Sequence, residues 1–325
     1  MNILVIGLGS MGRRRIRLLQ QIDKEMRVLG VDTNQERRKQ AADEFEIKTY
    51  PTIDEAACNE NCFAAFIATS PLSHNNIIKN CLKRRMNVFT EINLDDEGYD
   101  ENIAFAEKAN RTLFLSSTFM YRKEIEYIRK RVNDVKEIIS YSYHVGQYLP
   151  DWHPWENYKD FFVGKKESNG CRELMAIEFP WIVDTFGEVV EISVFSGKAS
   201  SLEIDCPDTY HILLKHTNGN MGSVQVDVVS RKAVRNLEVI SEHLHIRWNG
   251  KPETLFEYDI NTHETKKIYL YERINRLNGY GENIIEDAYM SEILNFFSVI
   301  EGKETPKHTF AENKDIIELI NRIEG

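Results

Sequence analysis

At 325 residues, 42% hydrophobic and 28% charged, the chain has an ordinary globular composition and enough length for two domain cores. A formal net charge of −10 argues against a nucleic-acid partner, because phosphate binding needs basic surface. No apolar run reaches the roughly 18–20 residues that cross a bilayer, and the start "MNILVIGLGSMG" has no basic segment of the signal-peptide kind. The five cysteines, Cys58, Cys62, Cys81, Cys171 and Cys206, contain no CxxC pair. They predict neither a disulfide framework nor a zinc ribbon, and a cytoplasmic location is expected.

The first third alternates two patterns. Strands are expected at Ile3–Ile6, Arg27–Val31, Lys48–Tyr50, Phe63–Thr69, Val88–Thr90 and Leu113–Ser116. Helices are expected between them, at Met11–Ile22, Gln35–Phe45, Ile53–Asn59, Ser73–Arg85 and Tyr99–Ala109. Apolar strands separated by helices predict a parallel sheet covered on both faces, an α/β Rossmann domain over residues 1–118. After Thr118 the pattern changes. A helix at Lys123–Asn133 leads into strand-rich segments such as "EIISYSYHVG", "YHILLKH" and "GSVQVDVVS", joined by short polar turns. They predict an α+β domain over 119–325 with a large, mainly antiparallel open sheet. A long aromatic loop, Gln147–Asn169, and a helix, Cys171–Phe186, interrupt it. Helices at Asn283–Glu301 and Ala311–Ile323 end the chain and are placed to pack back on the first domain, with a cleft expected between the domains.

"VIGLGSMGRR" supplies Gly7-x-Gly9-x-x-Gly12 directly after the first strand. Gly7 makes the tight turn, Gly9 lets a pyrophosphate approach the backbone, and Gly12 allows close helix–strand packing. Ser10 and Met11 open the helix whose N-terminus faces the anion. Asp32 ends the second strand, where a carboxylate accepts bonds from a ribose diol and repels a 2′-phosphate. NAD is therefore favoured over NADP. Arg37 and Arg38 follow on a helix pattern and read as a solvated face.

Together with "ATSPLSH" and "NVFTEIN", this turn resembles the Gfo/Idh/MocA oxidoreductase family over essentially the whole chain. The resemblance implies an NAD(P)-dependent enzyme acting on a sugar or nucleotide-sugar hydroxyl. Thr69, Ser70, Pro71 and His74 approximate the family's cofactor-lining Thr-Pro-x-x-x-His segment, and Arg122 stands where relatives often carry arginine. The family's Glu-Lys-Pro strand end is here Glu91, Ile92 and Asn93. Glu91 would order the cofactor region and Asn93 would hold substrate, but Ile92 can move no proton. On the helix "GCRELMAIEFPWIVDTFG" the usual histidine position falls at Ile177 and a following aspartate at Pro180.

Other groups must then carry the chemistry, if it is retained. Glu178 has Leu174, Met175, Trp181 and Ile182 as helical neighbours, an apolar stripe that suits either a general acid–base or a carboxylate paired for structure. His153 is the second proton-handling candidate. Arg172 would clamp an anion, and Glu173 either joins the substrate site or complements the helix dipole. Tyr148, Trp152, Trp155 and Tyr158 suit a sugar ring or a stapled loop. His144 lies on a strand placed to cross the cleft floor. The expected partners are a carbohydrate or nucleotide-sugar and further copies of the chain, as a homodimer or homotetramer through the second-domain sheet. NAD-assisted elimination without net redox, or ligand binding without catalysis, remain alternatives.

Overall fold

The structure, a computed structural model, describes residues 1–152, 157–277, 281 and 283–325. Short apolar strands can satisfy their backbone and bury both faces only inside a sheet flanked by helices. β1 (Asn2–Ile6), β2 (Arg27–Val31), β3 (Lys48–Tyr50), β4 (Ala64–Ile67), β5 (Asn87–Thr90) and β6 (Leu113–Leu115) form such a parallel sheet. Its order is β3-β2-β1-β4-β5-β6. The connections are α1 (Ser10–Ile22), α2 (Gln35–Phe45), α3 (Ile53–Asn59), α4 (His74–Lys83) and α5 (Tyr99–Ala109). Strand order reverses between β1 and β4, the switch point where open α/β sheets take ligands.

α6 (Lys123–Asp134) leads into β7 (Ser140–Gly146), and α7 (Gly170–Phe186) follows the long loop. Then come β8 (Val189–Gly197), β9 (Thr209–His216), β10 (Met221–Asp227), β11 (Val234–Ile240), β12 (His245–Trp248), β13 (Phe256–Asp259) and β14 (Glu264–Lys267). The second sheet runs β14-β13-β12-β11-β7-β10-β9-β8, with β7 and β10 parallel and the other pairs antiparallel. α7 packs on β9 and β10 and continues through Pro180. The β13–β14 hairpin escapes the sequence pattern because its residues are all at least partly exposed and give no apolar alternation. His263 at φ 57° makes its turn.

The period-2 alternation assigns the two faces of this sheet. Tyr141, Tyr143, Val145, Ile212, Leu214, Val224 and Val226 are buried. Registers align the opposite face in rows, one of them Phe195, His211, Gln225, His144 and Asn236. Phe195 is 75% exposed and Leu213 56%.

α8 (Glu286–Ile300) and α9 (Phe310–Glu324) end the chain. The chain divides into two compact units, Met1–Ser117 with Tyr289–Lys314, and Thr118–Ala288 with Asp315–Gly325. The first unit's core shows why the later segment belongs to it. Phe296 of α8 meets Phe66, Phe89 and Phe114 edge-on at ring distances of 5.3, 5.6 and 5.5 Å, and all four rings are fully buried. Edge-to-face rings add to area burial. Among the described residues, no helix is long and apolar enough to cross a membrane. Phe296→Ala should cost about 3–5 kcal/mol of stability. Urea unfolding measures this, and a loss below about 1 kcal/mol would show that the segment is dispensable to the core.

Candidate functional site

β1 passes to α1 through Gly7, Leu8 and Gly9. Gly7 sits at φ 90°, and a Cβ there would lie 2.5 Å from the Ala68 carbonyl oxygen. A Cβ on Gly12 would run into the Gly7 carbonyl, so only glycine lets α1 start this close to β1. Gly9 differs: a Cβ on it meets nothing within 4 Å. No side chain caps the helix here, and its first turn holds no acidic residue. Open space before an uncapped helix N-terminus fits an anionic pyrophosphate. Ser10 and Met11, the first helical residues, are partly exposed beside it.

Asp32 fixes the same turn. Its Oδ2 accepts from Leu8 N at 2.8 Å and its Oδ1 from Asn34 N at 2.8 Å. The carboxylate is thus aimed by the backbone of the turn it serves. Arg38 is not the solvated residue its helix pattern suggests. Its Nη1 donates to the Asp32 and Thr33 carbonyls at 2.7 and 3.0 Å.

After β4, Thr69 Oγ1 and Ser73 Oγ lie 2.8 Å apart. Ser73 Oγ donates to the Ser70 carbonyl, and Pro71 starts the short turn before α4. His74 is buried under this loop, with Nε2 3.1 Å from the Thr69 carbonyl and Nδ1 2.7 Å from the Asn93 side-chain amide. A carbonyl only accepts, so Nε2 carries the hydrogen. Burial pushes the His74 pKa down, so the ring is neutral and Nδ1 is an acceptor. The amide must therefore present its NH₂ to the ring. That orientation also gives the Asn93 nitrogen, otherwise buried and unpartnered, its bond. Asn93 thus braces the loop after β4 through His74.

Glu91 faces Arg15 of α1. Arg15 Nε and Nη2 donate to the two Glu91 oxygens at 2.6 and 3.1 Å, and Nη2 also reaches Glu292 of α8 at 2.8 Å. Glu292 in turn accepts from Ser116 Oγ and Ser117 N. Arg15 has no exposure and lies 4.5 Å over the Phe89 ring. Burial opposes its charge, but the two carboxylates outweigh burial and hold it protonated. Burial raises the pKa of Glu292 despite Arg15. Sequence reading missed both residues. Glu292 carried the signal that singled out Glu178, a carboxylate among apolar helical neighbours.

In the second unit, Glu178 Oε2 accepts from Tyr143 Oη and Trp181 Nε1, both at 2.7 Å, and Oε1 from Arg235 Nε at 2.8 Å. It is the structurally paired carboxylate, with three donors already in place. Arg172 pairs with Glu324 and donates to Asn321 Oδ1, so it anchors α7 to α9 and the expected anion clamp is committed internally. Arg122 is likewise committed, to Glu124 and the Asn283 carbonyl. Trp152 donates to the Gln147 carbonyl and packs near Gly170, which makes it a loop staple. Tyr148 stacks under Arg231 at 3.7 Å. His144 lies on the sheet face opposite Tyr143, its Nε2 2.7 Å from Asp227 Oδ2. His153 and Trp155 lie outside the described residues.

Glu173 stands apart. It is partly exposed, yet its Oε2 is buried and has no hydrogen-bond partner among the described residues. A first-turn position favours a carboxylate by about 0.3–1 kcal/mol. Burial outweighs that and pushes the acid up to about 8.

Residues 1–117 match a family described as "Oxidoreductase family, NAD-binding Rossmann fold". The sequence matches no curated protein. Solved structures share the fold over nearly the full length. A UDP-N-acetylglucosamine 3-dehydrogenase from Acidithiobacillus ferrooxidans is 17% identical, with a TM-score of 0.76 over 100% of this chain and 96% of its own. The WlbA dehydrogenase from Bordetella pertussis, solved with NADH and UDP-GlcNAcA, is 15% identical, with a TM-score of 0.80 over 99% and 94%. A putative NADPH-dependent oxidoreductase from Desulfitobacterium hafniense is 9% identical, with a TM-score of 0.82 over 99% and 94%.

The Glu173 environment sets a pH dependence. The folded chain keeps a proton that the unfolded chain releases above its ordinary carboxylate value of 4.5. Stability therefore falls as pH rises from that value to about 8, and is flat above it. Glu173→Gln, neutral throughout, should melt higher than wild type by a margin that grows between these pH values. A margin independent of pH in thermal melts would show that the acid is ionised in the fold.

Proposed function

We propose that the protein is an NAD-dependent oxidoreductase of the Gfo/Idh/MocA type, whose NAD-binding Rossmann description residues 1–117 match, acting on a hydroxyl or keto carbon of a sugar or nucleotide-sugar derivative. The observation that carries this reading is the open cradle at Gly9 in front of an uncapped helix, with Asp32 fixed beside it. Gly7, Gly9 and Gly12 would hold the pyrophosphate, with Ser10 and Met11 at its edge. Asp32 would take the ribose hydroxyls, which disfavours the 2′-phosphate of NADP. Thr69, Ser70 and Pro71 would line the cofactor on a loop braced by His74 and Asn93. When bound, the nicotinamide supplies the redox chemistry as hydride acceptor or donor.

The sugar reading draws on the aromatic loop and on the fold relatives solved as dehydrogenases of sugar nucleotides. Tyr148, stacked on Arg231, offers an apolar ring beside a cation, which suits a ring sugar carrying an anionic group. The open sheet face, with Phe195 and Leu213 exposed, supports assembly into a homodimer or homotetramer.

Calorimetric titration tests the cofactor site. Wild type should bind NAD more tightly than NADP, and Gly9→Val, which fills the cradle, should weaken NAD at least tenfold without lowering the melting temperature. Equal affinity in the two proteins would remove the cofactor assignment. Absorbance of NADH with a panel of UDP-sugars then tests the reaction. Sugar release that requires NAD but forms no NADH would favour elimination over oxidation.

A further inference from the structure

A run of buried polar side chains crosses the first unit, from its late segment to the loop after β4. His308 Nε2 lies 3.1 Å from Asn313 Oδ1, and Asn313 Nδ2 donates to Tyr99 Oη at 2.9 Å. The Tyr99 hydroxyl comes within hydrogen-bonding reach of the Asn93 side-chain amide. That amide meets His74 Nδ1 at 2.7 Å, and His74 Nε2 ends the run at the Thr69 carbonyl, 3.1 Å away. All five side chains are at most 6% exposed, so a broken bond here leaves a buried polar group without water to replace its partner.

The direction of each bond follows from the one next to it. The Thr69 carbonyl only accepts, so His74 carries its hydrogen on Nε2, and Nδ1 accepts from the Asn93 NH₂. This turns the Asn93 oxygen toward Tyr99. The hydroxyl then donates to Asn93 and accepts from the Asn313 NH₂, and the Asn313 oxygen accepts from His308 Nε2–H. The opposite Asn93 orientation would set two lone pairs against each other at Nδ1 and aim two NH₂ groups at one hydroxyl. Burial holds the Tyr99 pKa well above its ordinary value, so the phenol keeps its proton. Every donor therefore points the same way, toward Thr69, and bonds in such a run polarise one another.

The run ends where the glycine turn is tightest. A Cβ on Gly7 would lie 2.5 Å from the Ala68 carbonyl oxygen and 2.9 Å from Thr69 N. The Ala68–Thr69 peptide is thus packed against the turn, and a shift of the Thr69 backbone moves the turn with it. We propose that Tyr99 is a positioning residue for the cofactor site: it orients the Asn93 amide, which fixes the His74 tautomer and, through it, the Thr69 loop against the glycine turn. Asn313 and His308 set the direction of the run. The role rests on the NAD reading of that turn and loop. It gives the late segment a part in cofactor affinity besides its part in the core.

Tyr99→Phe removes one oxygen and keeps the ring, which packs edge-on against Phe310 at 4.7 Å. Two readouts on the full-length chain test the role. Ring-nitrogen NMR of the cofactor-free protein should show His74, identified by its loss in His74→Gln, as the Nε2–H tautomer alone in wild type. In Tyr99→Phe the Asn93 amide is released to turn over, and an Nδ1–H population should appear. Calorimetric titration should show NAD bound about five- to tenfold more weakly by Tyr99→Phe. Phe310→Leu, which loosens the ring packing and leaves the hydrogen bonds, should lower the melting temperature and change neither readout. A Tyr99→Phe protein with a single His74 tautomer, or with wild-type NAD affinity, overturns this role and leaves the NAD reading standing. So does a Phe310→Leu protein in which both readouts move as far. A wild type that binds no NAD overturns the reading and this role together.

Discussion

Arg15 is the group on which the first unit depends. One guanidinium, without any exposure, holds Glu91 at the tip of β5, Glu292 on α8 and Ser116 at the end of β6. It stands on α1, one turn beyond the glycine turn that makes the cradle. A buried charge of this kind is stable only if each partner stays in place, and removing one typically costs 3–5 kcal/mol. The helix start, the strand tip and the later segment are therefore fixed relative to each other by a single constraint. The aromatic packing of Phe296 against Phe89 and Phe114 closes the same region with apolar area.

A second device acts on the other side of the cradle. Neutral His74 and the Asn93 amide set the Thr69 loop, while Asp32 sets the backbone at Leu8. The residues of the strand tip thus divide their work. Glu91 orders α1, Asn93 orders the loop after β4, and Ile92 between them is partly exposed and carries no chemistry. In the second unit the same economy holds on α7, where Asn169 caps the start, Arg172 ties it to α9, and Glu178 knits it to β7 and β11.

Much of this was legible in the sequence. The glycine spacing, Asp32 and the alternation of strands and helices depend on local geometry, and α2, α3 and α5 begin and end at the expected residues. The large second sheet was readable from alternation, but its polar edge hairpin was not. That Glu178 is paired for structure was also out of reach, because its donors Tyr143 and Arg235 are delivered by distant strands. Arg172 read as an anion clamp for the same reason, because its partner Glu324 lies more than a hundred residues away. Arg15 sits in a run of basic residues with no local sign of burial, and its partners Glu91 and Glu292 come from far along the chain.

If the Arg15–Glu91 pair shapes the proposed cofactor cradle, beyond stabilising the fold, NAD affinity depends on both residues together. A double-mutant cycle on NAD affinity, with Arg15→Met, Glu91→Gln and both together, tests this by calorimetry in folded proteins. Each single change should weaken NAD about tenfold or more, and the double change should be no weaker than either alone, the signature of one coupled unit. Unchanged NAD affinity in both single variants, with only the melting temperature lowered, would contradict it.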